Sequence, residues 1–297
     1  MKRWITALAV AVAAPALAAV PALPASAVAT AAAPAASTAA PDPAAVLKSR
    51  LAGRQGVRFT ETNASTGPLA GIKYQSHGVL EFAKGSLRAV DVTSGVGAKD
   101  ETPARYIISE GKAYLRSGLF AEFLPEGKHW IAPKRDSLLS SAIIDVRTTS
   151  GLVDVFEPAT VRKLVTSATT KRPSSTIDGT RTTLYQGTTA LGDLYAVSPT
   201  LRKALGKKPV GESAVLKVTW RLWLGKDQLP RRVWSSWTEK TVGLRTDRRT
   251  STSDLRISGW NSKITVKAPP AAQVISEEEL DKALTFEPPV ELLPLPR

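Results

Sequence analysis

The chain offers few residue patterns that could carry out nucleophilic or acid–base chemistry. Ser109 and Lys112 have the S-x-x-K spacing of acyl-transferring enzymes, in which the serine opens a helix and the lysine lies one turn further on. Here the residues between them, Glu110 and Gly111, predict a tight hairpin turn instead. Because a hairpin does not provide the helical geometry, the spacing does not indicate catalysis.

Metal and cofactor chemistry has equally little support. The chain contains two histidines, His77 and His129, and no cysteine, which is a poor ligand set for a metal. Neither histidine has a neighbour that indicates a catalytic triad. The motifs G-x-S-x-G, G-x-x-x-x-G-K-[ST], G-x-G-x-x-G and H-E-x-x-H are absent from the sequence. The sequence therefore predicts a protein that is not an enzyme and has no cofactor.

Four tryptophans are more informative. Trp220, Trp223, Trp234 and Trp237 fall in two consecutive predicted strands, so both faces of one hairpin carry indole rings. One of these faces must pack into the interior, and two interpretations of it stay open. The inward rings belong to an ordinary core, or they line a cavity under the sheet. Large rigid apolar side chains suit a lipid chain or another apolar ligand, and the indole N–H can bond a headgroup.

Two segments with strand periodicity position the inward side chains. Residues 72–82 and 214–224 alternate between mainly apolar and mainly polar side chains, which predicts strands with one packed face and one solvated face. Eight side chains of the packed face are the candidate ligand-binding residues. They are Ile72, Tyr74, Leu80, Phe82, Leu216, Val218, Trp220 and Leu222. The alternative is that the same side chains form a filled core.

Local signals predict the other elements. Helices are expected to begin at residues 42–43, 158 and 198–199, with a last short helix at the capping box 276–279. A short apolar stretch, 138–144, follows the possible N-cap Asp136. Hairpin turns are expected at 84–85, 110–111, 178–179 and 225–227, and further strands at 87–92, 229–239, 249–257 and 264–266. This order predicts an α+β fold with one long curved antiparallel sheet and helices on its concave face.

The ends of the chain differ in composition from the middle. Residues 1–27 have the pattern of a secretory signal peptide, with Lys2 and Arg3 before an apolar run and Ala25-Ser26-Ala27 at the cleavage site. We expect a disordered linker at 28–41, one domain at 42–275, and a short helix with a Pro-rich tail at 276–297. Without cysteine there is neither a disulfide scaffold nor a lipoprotein anchor. The expected location is therefore secreted and extracytoplasmic, in the cell envelope.

The chain is strongly basic, with a formal net charge of +14. Outside the cytoplasm, an anionic membrane or cell-wall surface is the partner that such a charge favours. Nucleic acid is not expected, because the compartment is wrong and no binding motif is present. No heptad or exposed apolar stripe indicates a dimer, so we expect a monomer.

Several stretches together resemble the LolA/LppX/LprG-like superfamily of envelope lipid-carrier and lipoprotein-localisation proteins, in particular actinobacterial secreted members. The stretches that carry the resemblance are residues 106–115, 127–131, 177–185, 223–232 and 264–270. The resemblance implies an incomplete antiparallel β-barrel, with helices closing a hydrophobic cavity that holds acyl chains. It implies no shared catalytic residues. Many relatives are anchored through an N-terminal cysteine, which this chain lacks.

Two functional hypotheses follow. In the first, a secreted envelope protein binds a lipid or another hydrophobic ligand in the cavity of the half-barrel. In the second, an envelope interaction or sensor module binds a protein or an anionic cell-wall polymer through its basic surface. The first predicts a cavity that contains bound ligand, whereas the second predicts salt-sensitive binding and no cavity.

Overall fold

A computed structural model describes residues 41–66, 73–96, 102–134, 137, 151–241 and 247–284 of the protein. This described part contains twelve β-strands and five α-helices. The strands are β1 Gln55–Thr66, β2 Lys73–Ala83, β3 Ser86–Val96, β4 Ala104–Ser109, β5 Lys112–Arg116, β6 Trp130–Ala132, β7 Thr170–Ile177, β8 Thr180–Ala190, β9 Lys217–Gly225, β10 Pro230–Thr241, β11 Asp247–Ser262 and β12 Val274–Ser276. The helices are α1 Pro43–Ala52, α2 Pro158–Thr166, α3 Leu191–Val197, α4 Pro199–Leu205 and α5 Glu277–Leu284. None of these helices is long and apolar enough to cross a bilayer.

The twelve strands form one sheet in the order β12-β6-β5-β4-β3-β2-β1-β11-β10-β9-β8-β7. Neighbouring strands are antiparallel, except for the parallel pair β12 and β6. The two halves of the chain join where β1 pairs with β11. The sheet is not closed, because β12 and β7 are its two edges. The predicted fold class, α+β with an incomplete antiparallel barrel and helices against the sheet, is confirmed.

One face of the sheet carries most of the helices, and we call it the inner face; the opposite face is the outer face. Apolar side chains of α1–α4 pack with inward strand residues in a single hydrophobic cluster. The fully buried helix side chains of this cluster include Leu47, Leu51, Val161, Leu164 and Leu194. Each buried side chain of this size contributes about 1.5–3 kcal/mol relative to its exposed state. Burial of these apolar helix faces therefore holds the helices on the sheet.

The predicted starts of α1 and α4 are confirmed with their capping residues. The Asp42 carboxylate accepts a hydrogen bond from the amide of Ala44 at 3.0 Å, and the Ser198 hydroxyl accepts one from Leu201 at 3.0 Å. Helix α4 ends at Gly206, where φ is +66°, a conformation that glycine adopts without steric cost. Helix α3 was not predicted, because its N-cap Ala190 has no capping side chain.

Three predicted hairpin turns are confirmed, and each contains two consecutive residues with positive φ. They are Lys84-Gly85 (54° and 79°), Glu110-Gly111 (54° and 76°) and Asp178-Gly179 (47° and 73°). Two positive φ angles in a two-residue loop are typical of the type I′ turn, whose twist matches that of the flanking strands. Glycine at the second position meets this requirement because it lacks Cβ.

The strand predicted at residues 264–266 is wrong. Residues 263–270, which we call the strap, have no strand assignment and pack against the outer face instead. Ile264 and Val266 contact a cluster that includes Ala89, Ile107 and Trp130. The amide of Val266 donates to the carboxylate of Glu81 at 2.9 Å. The apolar period of two thus reflects packing on a sheet face, because the hydrogen bond goes to a side chain and not to a neighbouring strand.

Two other predictions differ from the structure in extent or lie outside it. Strand β9 begins at Lys217 and not at Ala214. The carbonyl oxygens of Ala214 and Leu216 accept hydrogen bonds from Gly192 and Leu191, both at 2.9 Å, so this segment is paired with the start of α3. The stretch 138–144, its possible cap at position 136 and residue 72 lie outside the described residues.

The capping box that begins α5 is confirmed and predicts an acid-sensitive helix end. The Ser276 amide and hydroxyl both donate to the Glu279 carboxylate at 2.8 Å, and the Glu279 amide donates to the Ser276 hydroxyl at 3.2 Å. The bonds to the carboxylate hold the pKa of Glu279 below its ordinary value of 4.5. A lowered folded-state pKa means that this contribution is present above the unfolded pKa and is lost as pH falls through the folded pKa.

We therefore expect the first turn of α5 to fray in acid before the rest of the fold unfolds. Hydrogen exchange at the Glu279 amide, followed from about pH 6 down to about pH 2 after correction for intrinsic exchange rates, measures this loss. The variant Glu279→Gln keeps a polar side chain but does not titrate, so its exchange profile should lack the acid step. An acid step of the same size in this variant would contradict the prediction.

Candidate functional site

The residues first considered for catalysis are not arranged for it. Ser109 and Lys112 lie opposite each other across the β4–β5 hairpin, so they do not have the helical arrangement of acyl-transferring enzymes. The Ser109 hydroxyl is buried and donates to the Val266 carbonyl at 3.4 Å. His77 and His129 are exposed on separate elements. Within the described residues, no group of three or more His, Asp or Glu side chains could hold a metal ion.

The structure places the candidate ligand-binding residues in different surroundings. Five of them belong to the core cluster under the helices and are at most 2% exposed: Leu80, Phe82, Val218, Trp220 and Leu222. Leu216 is half-buried against the same cluster. Tyr74 is 46% exposed, and Ile72 lies outside the described residues. The part of the inner face that surrounds the five core residues is therefore filled by the protein's own helices.

The inner face has a second, polar part along β1, β2, β3, β10 and β11. We call its six serines the hydroxyl patch: Ser65, Ser76, Ser94, Ser235, Ser251 and Ser253. The strand register makes them neighbours, since Ser65 pairs with Ser251, Ser76 with Ser94, and Ser235 with Ser253. Glu61 and Asn63 lie within the same patch, opposite Ser76 and Ser253 respectively.

Hydrogen bonds between neighbouring strands organise the hydroxyl patch. Ser76 donates to Ser94 at 2.9 Å, and the hydroxyls of Ser65 and Ser251 lie 3.3 Å apart. Ser253 donates to the buried carboxylate of Glu61 at 2.7 Å. A buried hydroxyl is stable only when its hydrogen-bonding groups are satisfied. Pairing across the strands therefore allows a polar surface to lie inside a hollow that is apolar further along.

A cavity of about 300 Å³ lies over part of the hydroxyl patch. Its walls combine the hydroxyl groups of four patch residues with the aromatic rings of Tyr74 and Trp237. The lining residues are Asn63, Ala64, Ser65, Tyr74, Ser76, Ser94, Trp237, Ser251 and Thr252. Trp237 pairs with Ser251 on one side and with Val218 on the other. It therefore joins the open polar part of the inner face to the apolar core.

The chemistry of this cavity suits a neutral polar group next to an apolar one. None of the lining residues that the structure describes is Lys, Arg, Asp or Glu. Hydroxyl and amide side chains both donate and accept hydrogen bonds, and the two aromatic rings provide apolar area. Beyond the cavity, on β4, burial raises the pKa of Tyr106, so its phenol is a neutral donor at neutral pH.

Sequence reasoning found one lining residue, Tyr74, and did not select the others. The signal was present, because Ser76 occupies an inward position of β2 between apolar residues. An inward serine in an alternating strand either makes a buried hydrogen bond or lines an open polar surface. Periodicity does not distinguish these two cases. Alternation along residues 229–239 puts Trp237 on the same side of its strand as Leu229 and Val233, and Trp234 on the other. That placement of Trp237 is confirmed by its pairing with Ser251 and Val218.

The four tryptophans of β9 and β10 divide between the faces as predicted. Trp220 and Trp237 are on the inner face, and Trp223 and Trp234 are on the outer face. The Trp220 indole is fully buried and donates to the Thr189 hydroxyl at 2.9 Å. The two outer rings instead lie under arginine side chains, Arg232 over Trp223 and Arg221 over Trp234.

No protein-family model matches this chain, and no curated protein matches it. Among solved structures the chain is similar to LprF from Mycobacterium bovis, with 12% identity and a TM-score of 0.38, over 78% of this chain and 98% of that one. It is also similar to a DUF1329 family protein from Desulfovibrio piger, with 12% identity and a TM-score of 0.25, over 76% of this chain and 92% of that one. These likenesses concern the fold and assign no ligand or role.

Proposed function

We propose that this protein binds a lipid or another amphiphilic ligand in the hollow of its sheet, and that it acts as a carrier and not as an enzyme. The observation that carries the proposal is the division of the inner face. One part is apolar and lies under the helices, and the adjoining part is hydroxyl-lined and opens into a cavity of about 300 Å³. The hydroxyl groups of this cavity and the adjoining rings of Tyr74 and Trp237 match the polar and apolar parts of an amphiphile.

In this proposal the two ends of the ligand take different positions. Its uncharged polar group bonds the hydroxyls of Ser76, Ser94 and Ser251, and its apolar part lies against Tyr74 and Trp237. The core residues that were the first candidates, among them Val218 beside Trp237, lie under the helices, so a longer apolar chain reaches them only if the helices move. Contact between the ligand and those core residues remains a prediction, as does export of the protein to the cell envelope.

Native mass spectrometry of the purified protein tests the proposal, together with solvent extraction and mass spectrometry of the extract. A parallel assay measures uptake of a fluorescent NBD-labelled monoacylglycerol, whose polar group is uncharged, from vesicles. We expect a copurified lipid mass or uptake of the labelled lipid. A protein that carries no additional mass and takes up no labelled lipid would overturn the proposal.

A substitution that fills the cavity should block binding without unfolding the protein. Ser94 is half-buried and lines the cavity, so the indole of Ser94→Trp would occupy space that the proposed ligand needs. We expect ligand occupancy to fall by about tenfold or more, because the indole competes for the same volume. Occupancy is read from the native mass spectrum, and the melting temperature shows whether the fold persists.

The neighbouring residue supplies a matched control. Thr93 precedes Ser94 on β3, and its side chain points to the outer face because successive strand residues alternate. Thr93→Trp therefore adds the same indole outside the hollow and should leave ligand occupancy unchanged. Equal losses in the two variants would show that the ligand does not occupy this cavity.

A further inference from the structure

The outer face carries a line of basic side chains that crosses the sheet from strand to strand. Register pairs connect aligned outward positions from β7 at one end to β5 near the other. We call the basic residues at these positions the cationic row: Arg172, Arg232, Arg256, His77, Arg105 and Arg116. Adjacent strands are about 4.8 Å apart, so the row extends roughly 45 Å along the curved sheet. The other four aligned positions are not basic: Leu184 and Trp223 lie between Arg172 and Arg232, and Thr60 and Thr93 lie further along.

The carboxylates along the row are already engaged. Asp254 accepts two hydrogen bonds from Arg232, at 2.7 and 2.5 Å, and Asp91 accepts two from Arg105, at 2.8 and 2.7 Å. Arg172 and Arg256 are exposed, and no carboxylate of the described residues lies within ion-pair distance of either. The row therefore has cationic groups available for an external anion.

The centre of the row contains a cavity of about 480 Å³. Arg58 and Arg256 line it together with His77 and the hydroxyls of Thr60 and Ser258. The carboxylate of Asp178, at the β7–β8 turn, also lines this cavity. Among the described residues it makes no ion pair with either arginine. Two guanidinium groups with adjacent hydroxyl donors are the groups that bind phosphate oxygens.

Aromatic rings under the arginines make this surface more ordered than a set of free side chains. The Arg232 guanidinium lies 4.8 Å from the Trp223 ring centre, and the Arg105 guanidinium lies 5.5 Å from that of Trp130. Arg221 lies on β9 two residues before the aligned position, on the same face, and its guanidinium is 5.1 Å from the ring centre of Trp234. Stacking and bidentate pairing fix Arg232 and Arg105 but also neutralise their charge, so among the described residues the groups of the row that remain for an external anion are the exposed Arg172, Arg256 and Arg116.

We propose that the cationic row binds a linear phosphate-containing polymer, which lies across the strands on the outer face. The direction of the row distinguishes this partner from a membrane. The sheet curves across its strands, so a flat bilayer would touch only the crest of the row, whereas a flexible chain follows its whole length. The row contains five arginines and no lysine, and the planar fork of a guanidinium group can bind two oxygens of one phosphate group.

This inference concerns the outer face and is independent of ligand binding in the hollow. Its test is isothermal titration calorimetry of the full chain with long-chain polyphosphate, at increasing sodium chloride concentrations. Inorganic phosphate and vesicles of phosphatidylcholine with phosphatidylglycerol are titrated separately. The wild-type protein should bind polyphosphate with an affinity that falls steeply with salt, since binding a polyanion releases counterions.

The double variant Arg58→Ala/Arg256→Ala removes the two arginines that line the central cavity. We expect it to bind polyphosphate about tenfold or more weakly at roughly 0.1 M salt and with a smaller salt dependence. Lys203→Ala/Lys207→Ala removes the same charge from exposed positions in and just after α4, on the helical side of the sheet. Because distant charges are screened beyond about 10 Å, this control should lose less than about twofold.

Each other outcome overturns the inference. Equal losses in the two double variants would mean that net charge attracts the polymer without a site. Wild-type binding to the anionic vesicles but not to polyphosphate would assign the surface to a membrane. Inorganic phosphate that binds as tightly as the polymer would reduce the row to a single anion site. If the double variant does not fold, the single variant Arg256→Glu, at an exposed position, provides the same comparison.

Discussion

Trp220→Ala should lower the free energy of unfolding by about 3–5 kcal/mol, the range for a tryptophan removed from a packed core. Trp220 is 0% exposed. Its loss also removes the hydrogen bond of 2.9 Å that the indole N–H donates to the Thr189 hydroxyl. The neighbouring strand is adapted to the ring. A Cβ added at Gly187 would lie 2.8 Å from an indole carbon, so the glycine leaves space for Trp220.

Urea denaturation followed by circular dichroism measures this loss. Trp234→Ala is the matched control, because Trp234 lies on the next strand, faces outward and is half-buried beneath Arg221. The control should lose about 1 kcal/mol or less, the scale of an exposed cation–π contact. A Trp220→Ala protein as stable as this control would show that Trp220 faces ligand space and not a filled core.

Glu81→Ala should cost about 2–3 kcal/mol, because it removes a buried acceptor that carries a charge. The Glu81 side chain is 2% exposed and accepts hydrogen bonds from the Val266 amide and from Arg54, both at 2.9 Å. Glu81 and Ser109 both bond the strap backbone at Val266, Glu81 by accepting from its amide and Ser109 by donating to its carbonyl. Without Glu81, the Val266 amide is buried and has lost its acceptor, and the strap should exchange its amide hydrogens faster.

Two further variants separate the roles of the charge and of the hydrogen bond. Arg54→Ala removes a partner that is half-exposed, so it should cost about 1 kcal/mol or less. Glu81→Gln retains a carbonyl oxygen for the Val266 amide and should have an intermediate effect. Stability is measured in urea and strap opening by hydrogen exchange at Val266. A loss in Arg54→Ala as large as that in Glu81→Ala would assign the stabilisation to the ion pair instead.

The features that the sequence predicted correctly depend on short-range interactions. The turn at Asp178-Gly179 requires two positive φ angles, and glycine signals the second of them. The cap at Ser198 and the capping box at Ser276 join groups three residues apart. Alternation along a strand also separates the two faces without reference to any partner, which is why the division of the four tryptophans was predictable.

The prediction at the strap failed because the partner of this segment is distant in sequence. Ile264 and Val266 alternate as strand residues do, but a strand is defined by a hydrogen-bonded neighbour. Glu81, almost two hundred residues away in sequence, supplies the acceptor instead. Sequence separation of this size leaves no local signal.

Local periodicity, capping and turn chemistry were thus sufficient to determine the α+β class and the inward side of strands such as β2 and β9. Only the tertiary structure decided what lies against that inward side. The helices cover the apolar part of the inner face and bury Trp220 and Leu222, whereas the hydroxyl patch beside Trp237 stays partly open. The tertiary structure also decided that Arg232 of β10 lies opposite Arg256 of β11. Burial and strand register depend on contacts between segments that are distant in sequence. Alternation along one strand therefore predicts which face a residue lies on, but it does not predict which residue lies beside it.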